Sequence, residues 1–266
     1  AVKLAPALAM GNTVVIKASE LAPVTLLEFA KLIEKTGMPK GVVNIITGLG
    51  DPCGKALTQH HLVERIAFTG GPETARHIVK NSSYNLSQVS LELGGKSPVA
   101  VFDDADQENA LNGITAGIFG ASGQSCIAGS RLYIQSSIYE TFLNKLIDKA
   151  KKIKLGPPMS DETQMGPLNS LKQLEVIEKN INDTVKQGGV IKCGGKRSSL
   201  SNKGYYFPAT IIECENHNLP TAENELFGPV LSVMKFEKED ELVNLMNDNK
   251  YGLSSGIYTK DLGKGM

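Results

Sequence analysis

A cysteine and a glutamate are the two side chains of this sequence whose surroundings best suit covalent chemistry. Cys126 lies in the run FGASGQSCIAG, whose small residues leave room for a substrate at the sulfur. Glu92 lies upstream in LELGGK, at the end of a short apolar run. A thiolate attacks carbonyl carbon, and a nearby carboxylate can act as a general base. The simpler alternatives are a small buried hydrophobic residue for Cys126 and a strand-end carboxylate in an ion pair for Glu92.

The composition indicates an ordinary globular protein. The chain has 266 residues, of which 41% are hydrophobic and 21% charged, enough for one large domain or two ordinary ones. The formal net charge is zero, so we expect neither a nucleic acid nor a membrane as a partner. The four cysteines form no CxxC pair, which predicts reduced thiols, no metal site and a cytoplasmic location.

The first third of the chain alternates short β-branched runs with helical periodicity. Strands are predicted at 13–17, 42–46, 65–68 and 89–93. Helices are predicted at 23–35, through Leu57 after a Gly-containing turn, and at 73–80. This alternation predicts a doubly wound α/β domain with a parallel sheet. Ligands of such sheets bind beyond the carboxyl ends of the strands, where Lys17, Gly48, Thr69 and Gly70 fall.

A second α/β domain is predicted to follow the turn at Gly94 and Gly95, so that the two domains span 1–94 and 95–266. Its predicted strands lie at 98–102 and 131–135 and around Tyr206, Ile211 and Val230. Its predicted helices lie at 107–119, 138–152, 171–187 and 239–247.

Five stretches, in this order and spacing, carry a resemblance to a known family. They are GNTVVIKASE (11–20), FTGG (68–71), LELGGK (91–96), GQSC (123–126) and ELFGPV (225–230). Together they resemble the NAD(P)-dependent aldehyde dehydrogenase superfamily, over essentially the whole chain. The tandem of the glutamate and cysteine motifs is the most specific part of the resemblance.

The resemblance implies a Rossmann-like cofactor domain over 1–94, a catalytic domain over 95–266 and a small-molecule aldehyde as substrate. Cys126 is then the nucleophile that forms a thiohemiacetal and a thioester, and Glu92 is the base that activates water. A useful base near neutral pH has to be partly desolvated, which the apolar neighbours Leu91 and Leu93 favour.

The resemblance also implies the cofactor NAD. Lys17 and Glu20 match positions at the adenosine ribose, and the Glu20 carboxylate favours NAD because it would repel the 2′-phosphate of NADP. The alternative for Glu20 is an exposed acid that opens the next helix. The other cofactor positions are Gly50, Gly54, Phe68, Thr69, Gly70, Gly71, Leu93, Glu225 and Phe227.

Within that set, the pyrophosphate is expected at the helix that follows Phe68, whose first N–H groups would receive it. Gly71 stands where the family usually has Ser, and Ala75 where a second Gly is usual. Glu225 and Phe227 match the positions that hold the nicotinamide ribose and ring, with plain core packing as the alternative for Phe227. The GxGxxxG spacing that contains Gly50 and Gly54 is not the standard dinucleotide fingerprint.

Some family features have no counterpart in these residues. The sequence contains no Trp, so it has no Pro-Trp-Asn segment with the family's oxyanion-donating Asn. The Cys126 backbone N–H remains as a donor, and loss of one donor typically costs ~10²–10³ in rate. We therefore expect this to be an internal piece of a longer chain, which the family suggests is a homodimer or homotetramer. The competing functions are a CoA-acylating or phosphorylating relative and a catalytically silent scaffold.

Overall fold

The computed structural model describes residues 2–200 and 203–265. The chain divides between Leu93 and Gly94 into two compact units, one residue before the boundary that the sequence predicts. We call them the first unit and the second unit.

The first unit alternates helices and strands. Its elements are α1 (Leu4–Ala9), β1 (Val14–Lys17), α2 (Val24–Lys35), β2 (Val43–Ile46), α3 (Lys55–Gln59), β3 (Arg65–Thr69), α4 (Pro72–Ser82) and β4 (Gln88–Glu92). The Gly-containing turn and the helix through Leu57 that are predicted after β2 are observed as an irregular segment, Gly50–Gly54, with extended backbone at Asp51, followed by α3. Two glycines and a proline in five residues disfavour a regular α-helix there.

The strands of the first unit pair in parallel, as the alternation predicts. β1 pairs with β2 from Val14↔Val43 onward, and β3 pairs with β4 up to Thr69↔Glu92. The two ladders are not hydrogen-bonded to each other in the part of the chain that is described. Periodicity along a strand reports its conformation and not its neighbour, which is why the sequence did not predict this separation.

The second unit contains a larger sheet with helices on both faces. Its elements are β5 (Pro98–Val101), α5 (Gln107–Phe119), β6 (Arg131–Gln135), α6 (Tyr139–Lys151), α7 (Leu171–Lys186), β7 (Val190–Cys193), β8 (Thr210–Glu213), α8 (Pro220–Glu223), β9 (Val230–Phe236), α9 (Glu239–Asn247) and β10 (Gly256–Tyr258). The strand order is β10-β5-β6-β9-β8-β7, and β7 pairs antiparallel while the other pairs are parallel.

Alternation along the central strands divides the core of the second unit into two layers. On β6, Leu132 and Ile134 belong to the cluster that includes α5 and α6, and Tyr133 belongs to the cluster that includes α7 and α9. Successive side chains of a strand point to opposite faces, so the middle residues of a central strand covered on both sides are buried whichever face they point to. This rigid sheet carries the site described below.

Three short elements escaped sequence analysis, and one predicted strand is absent. β7, α8 and β10 have three or four residues each, too few to establish a period. Tyr206 lies outside any strand; its neighbour Tyr205 makes only an isolated bridge to Leu168. No helix within residues 2–200 and 203–265 combines the length and the apolar character needed to cross a membrane.

Candidate active site

The loop that carries Cys126 begins with an unusual backbone turn at the end of α5. Ala121, Ser122 and Gly123 have φ of +49°, +57° and +68°, the left-handed region that only glycine adopts without cost. Ser122 Oγ donates a 2.9 Å hydrogen bond to the Gly166 carbonyl, and Gln124 Oε1 accepts one of 2.9 Å from the Asn169 N–H. These bonds hold a strained turn, as is common at functional sites.

Cys126 differs in exposure from two of the other three cysteines. Its side chain is partly exposed, as is that of Cys53, whereas Cys193 and Cys214 are buried. Burial raises the pKa of both buried thiols, which makes them poor nucleophiles. The alternative of a buried hydrophobic role is therefore not observed for Cys126.

Close backbone approaches join the Cys126 loop to two other segments of the second unit. A Cβ added at Gly123 would lie 2.1 Å from the Gly228 carbonyl oxygen, and one at Gly95 would lie 2.7 Å from the carbonyl oxygen of Cys126. Real Cβ atoms do not approach that closely, so glycine is required at both positions for the observed packing. The cysteine motif, the Gly94-Gly95 turn and the segment 225–228 thus form one local structure.

Glu225 rests on the Gly94-Gly95 turn. A Cβ at Gly94 would lie 1.8 Å from Glu225 Oε2, and the Gly95 N–H donates a 3.3 Å hydrogen bond to Oε1. Burial raises the pKa of Glu225 above its usual range, while the Gly95 N–H and the nearby Lys96 act in the opposite direction. The two glycines therefore form a seat for one carboxylate.

Phe227 lies beside this seat with a strained backbone conformation and a partly exposed side chain. Its φ is +47°, and its side chain is 41% exposed. With Glu225, Gly123 and Ser125 it lines a narrow cavity of about 10 Å³. The alternative of a purely structural core role is not observed.

Lys96 is a residue of this site to which sequence analysis gave no role. It is 2% exposed, and its Nζ has no hydrogen-bond partner among the described residues. Burial and the neighbouring Arg131 lower the pKa of Lys96 to about 7, against the opposing effect of Cys214 and Glu225. The sequence feature that could have drawn attention to Lys96 is its position, as a charged residue between two glycines and a buried strand.

Arg131 fixes the segment that carries these groups. The guanidinium is fully buried and donates to the carbonyl oxygens of Lys96, Leu245 and Met246 at 2.8, 3.1 and 2.7 Å. The last two lie at the C-terminal turn of α9, where a cation is favoured. One buried cation therefore fixes the start of β5 to the end of α9.

In the first unit, Lys17 connects the ends of β1 and β2. Its Nζ donates to the Ala18 and Gly48 carbonyl oxygens at 2.8 Å each and lies 3.4 Å from Glu20 Oε2. Glu20 is exposed, and its pKa is lowered by its backbone hydrogen bond and by Lys17. Gly54 adjoins the stem of Lys17, since its Cβ would lie 3.5 Å from Cδ, and Gly50 opens the same turn.

The ends of β3 and β4 bring a second group together. The Phe68 ring lies over Gly70, whose Cβ would be 2.5 Å from Cζ, and the Gly70 N–H donates to the Glu92 carbonyl oxygen at 3.1 Å. Thr69 pairs with Glu92 in the ladder and accepts a hydrogen bond from Lys3. Gly71 precedes the first turn of α4 and provides no side-chain cap.

The predicted desolvation of Glu92 is wrong. Its side chain is exposed, and it forms no ion pair with any described residue, which also removes the ion-pair alternative. Leu91 is itself 36% exposed and Leu93 is half-buried, so these neighbours do not cover the carboxylate. Glu92 is the last residue of a two-stranded ladder, a position that offers little cover.

The structure thus assembles the sequence-predicted residues into three groups. Lys17, Glu20, Gly50 and Gly54 form one, and Phe68 to Gly71 with Glu92 and Leu93 form another, both in the first unit. Cys126, Glu225 and Phe227 form the third, in the second unit. Among the residues that the structure describes, no cluster of three His, Cys, Asp or Glu side chains could hold a metal ion.

The fold and the site together define a class of protein. It is an α/β protein with a partly exposed cysteine on a loop that packs closely through glycines. The chain belongs to the aldehyde dehydrogenase family, whose family model matches residues 1–266. It is 52% identical to (Z)-2-((N-methylformamido)methylene)-5-hydroxybutyrolactone dehydrogenase of Acinetobacter baylyi, over 98% of this chain and 54% of that protein. It is 40% identical to betaine aldehyde dehydrogenase of Mesorhizobium japonicum, over 98% of this chain and 54% of that protein.

Solved structures agree with this assignment. The crystal structure of PnpE in complex with nicotinamide adenine dinucleotide superposes with a TM-score of 0.97 at 42% identity, covering 99% of this chain and 54% of that one. The chain therefore spans about half the length of the relatives it matches.

Proposed function

We propose that this protein oxidises a small aldehyde to a carboxylic acid with NAD⁺, through a thioester on Cys126. The observation that carries the proposal is the Cys126 loop. Its left-handed turn, its two hydrogen bonds to 166–169 and its close approaches to Gly95 and Gly228 hold a partly exposed thiol in a fixed place. Catalysis benefits from such positioning, since a ~1 Å displacement can cost about 10²-fold in rate.

In the proposed reaction, the Cys126 thiolate adds to the aldehyde carbonyl and forms a thiohemiacetal. The Cys126 backbone N–H donates a hydrogen bond to the new oxyanion. NAD⁺, when bound, supplies the acceptor for the hydride that leaves this carbon. The carbon remains bonded to Cys126 as a thioester.

Glu92 completes the proposed reaction. Its carboxylate takes a proton from a water molecule that attacks the thioester carbon, which releases the carboxylic acid and restores the Cys126 thiolate. The exposed position of Glu92 gives water access to it. A relative that transfers the acyl group to CoA or phosphate would have no need of this base.

The cofactor residues fit NAD on several points. No side chain caps the start of α4, which leaves N–H groups of its first turn for a pyrophosphate, and no atom lies within 4 Å of a Cβ built on Gly71. Glu20 is exposed, with its pKa lowered, so it is an ionised acceptor for a ribose diol and repels a 2′-phosphate. Glu225 and Phe227 are proposed to hold the nicotinamide ribose and ring.

We also propose that the protein assembles as a homodimer or homotetramer and acts in the cytoplasm. The support for assembly is the edge strand β7, where Val190 is 51% and Ile191 36% exposed, because an exposed apolar edge is a surface for association. Light scattering on the purified complete gene product tests the assembly.

The test of function is NADH formation by the complete gene product, followed by absorbance over a panel of small aldehydes. We expect turnover in the wild type, none in Cys126→Ala, and a single turnover in Glu92→Gln. Cys53→Ala is the matched control, since Cys53 is also partly exposed, and it should retain activity.

Other outcomes would contradict the proposal in distinct ways. Turnover only when CoA or phosphate is added would identify an acyl-transferring relative. Absence of turnover with every aldehyde, despite NAD⁺ binding, would favour a catalytically silent scaffold.

A further inference from the structure

Lys96 is a buried amine that neither the fold nor the proposed reaction explains. Its Nζ lacks a hydrogen-bond partner among the described residues although its side chain is almost fully enclosed. A buried ammonium without partners is costly, and exchange for an apolar residue of similar volume is often neutral or stabilising. A role that depends on the amine itself would explain its presence.

The position of Lys96 relates it to the proposed nicotinamide end of the site. With Glu225 and Phe227, it lines the narrow cavity behind the Cys126 loop. Its own peptide unit follows Gly95, whose N–H binds Glu225. A charge on Lys96 therefore acts on whatever Glu225 and Phe227 hold.

Lys96 also lines a second, larger cavity of about 320 Å³. The wall of that cavity is largely polar and includes Ser97, Asn247, Asn249, Tyr251 and Ser254. Polar groups of this kind support water, which can accept a proton. The residue Lys96 thus borders both the proposed cofactor site and a cavity that can hold water, while its Nζ is enclosed.

Three groups set the charge state of Lys96. The buried Arg131 disfavours its ammonium form, whereas Cys214 and Glu225 favour it, and together with burial they lower the pKa of Lys96 to about 7. Both the ammonium and the neutral amine of Lys96 are then populated near neutral pH. A small change in nearby charge is sufficient to shift this balance.

We propose that Lys96 releases a proton to solvent when NAD⁺ binds, and takes one up again when the nicotinamide becomes neutral. The inference rests on the proposed function, because it requires that Glu225 and Phe227 hold the nicotinamide end. The ring of NAD⁺ carries a positive charge and repels the Lys96 ammonium, whereas the ring of NADH is neutral. Lys96 is thus a charge-setting residue and not a catalytic one.

Linkage makes this coupling measurable without turnover. If NAD⁺ binding drives a proton from Lys96, then protonation of Lys96 weakens NAD⁺ binding by the same factor. The ratio of the NAD⁺ and NADH dissociation constants should fall as pH rises from 6 to 8. The expected change is roughly tenfold, the order expected for two like charges that interact within a protein interior.

The test is isothermal titration calorimetry of NAD⁺ and NADH with the complete gene product carrying Cys126→Ala, so that the reactive thiol contributes no proton. Titrations in two buffers of different ionisation heat give the number of protons released. Near neutral pH we expect NAD⁺ binding to release a measurable fraction of a proton, and NADH binding close to none.

Variants separate the role of charge from that of packing. Lys96→Met and Lys96→Gln should abolish the Lys96 share of proton release and make NAD⁺ affinity independent of pH between 6 and 8. Lys96→Arg should also release no proton, but its permanent charge should weaken NAD⁺ binding roughly tenfold while NADH binding is retained. Lys179→Met, at an exposed lysine on α7, is the matched control and should behave as the parent.

The outcomes that would overturn the inference are distinct from failure of the proposed function. A parent protein that binds both nucleotides with a pH-independent ratio, or equal proton release by the parent and Lys96→Met, overturns the role of Lys96 alone. A parent that binds neither nucleotide overturns the proposed function and this inference with it.

Discussion

Because Gly94 has no side chain, the Glu225 carboxylate can lie against its backbone. The Gly94→Ala substitution places a methyl group where Glu225 Oε2 lies, at 1.8 Å, so the carboxylate has to leave its seat. We expect NADH affinity to fall about tenfold or more, because the proposed ribose acceptor moves. Fluorescence titration with NADH measures the effect.

Gly117→Ala is the matched control for Gly94→Ala. Gly117 lies within α5 and has no atom within 4 Å of its Cβ position. Alanine there should retain NADH affinity and stabilise the helix by ~0.5–1 kcal/mol. An unchanged affinity in Gly94→Ala would contradict the assigned role of Glu225.

The buried amine of Lys96 makes stability depend on pH in a definite direction. Its pKa is lowered from 10.5 to about 7 in the folded protein, so below pH 7 folding buries an ammonium that the unfolded chain keeps in water. Above pH 10.5 the amine is neutral in both states, and the cost disappears. The destabilisation of the folded protein by Lys96 is therefore largest below pH 7.

Lys96→Met removes that cost. At pH 6 the variant should melt roughly 5 °C or more above the wild type, and the difference should shrink steadily between pH 7 and pH 10. Calorimetric melting temperatures across this range measure it. A difference that stays constant with pH would show that Lys96 is not buried as an ammonium.

At the scale of elements, the Cys126 loop depends on close backbone packing against the segment before β9. Gly123→Ala would place a Cβ 2.1 Å from the Gly228 carbonyl oxygen at a φ of +68°. The loop then has to shift, and we expect turnover to fall about 10²-fold. Steady-state NADH formation by the complete gene product tests this.

Gly120→Ala changes the same loop without a clash. Gly120 has no atom within 4 Å of its Cβ position, and its φ of −55° suits alanine. This control should retain at least half of the wild-type turnover. Equal losses in the two variants would mean that the loop is sensitive to any substitution and not to this contact.

The elements and motifs were predictable from sequence where the information was local. Residue types and spacing singled out Cys126 and Glu92 as candidates, the resemblance added Glu225, and periodicity predicted the longer helices and strands. The seat of Glu225 was not predictable, because the Gly95 N–H and the carboxylate that it binds are 130 residues apart in sequence. The burial of Lys96 beside Arg131 and the exposure of Glu92 likewise depend on packing between distant segments.

At the scale of the whole chain, the two units differ in how much apolar surface they bury. α2 in the first unit has no fully buried residue, whereas α6 in the second buries Tyr139, Phe142, Leu143, Leu146, Ile147 and Ala150. Local opening requires less free energy where fewer apolar contacts are lost. Stability should therefore be uneven along the chain.

Hydrogen exchange followed by mass spectrometry measures this difference. In the 266-residue chain, the amides of α2 should exchange at least tenfold faster than those of α6. The amides of β6, at the centre of the larger sheet, are the reference for full protection. Equal protection in α2 and α6 would contradict the uneven stability that burial implies.

The proposed chemistry depends on a covalent bond to one sulfur, and one measurement tests that bond directly. The complete gene product with Glu92→Gln is mixed with an aldehyde and NAD⁺, and the mass of the intact protein and of its peptides is determined. We expect one acyl group on the peptide that contains Cys126, together with one equivalent of NADH. Sustained NADH formation without an adduct, or an acyl group on another residue, would contradict the thioester mechanism.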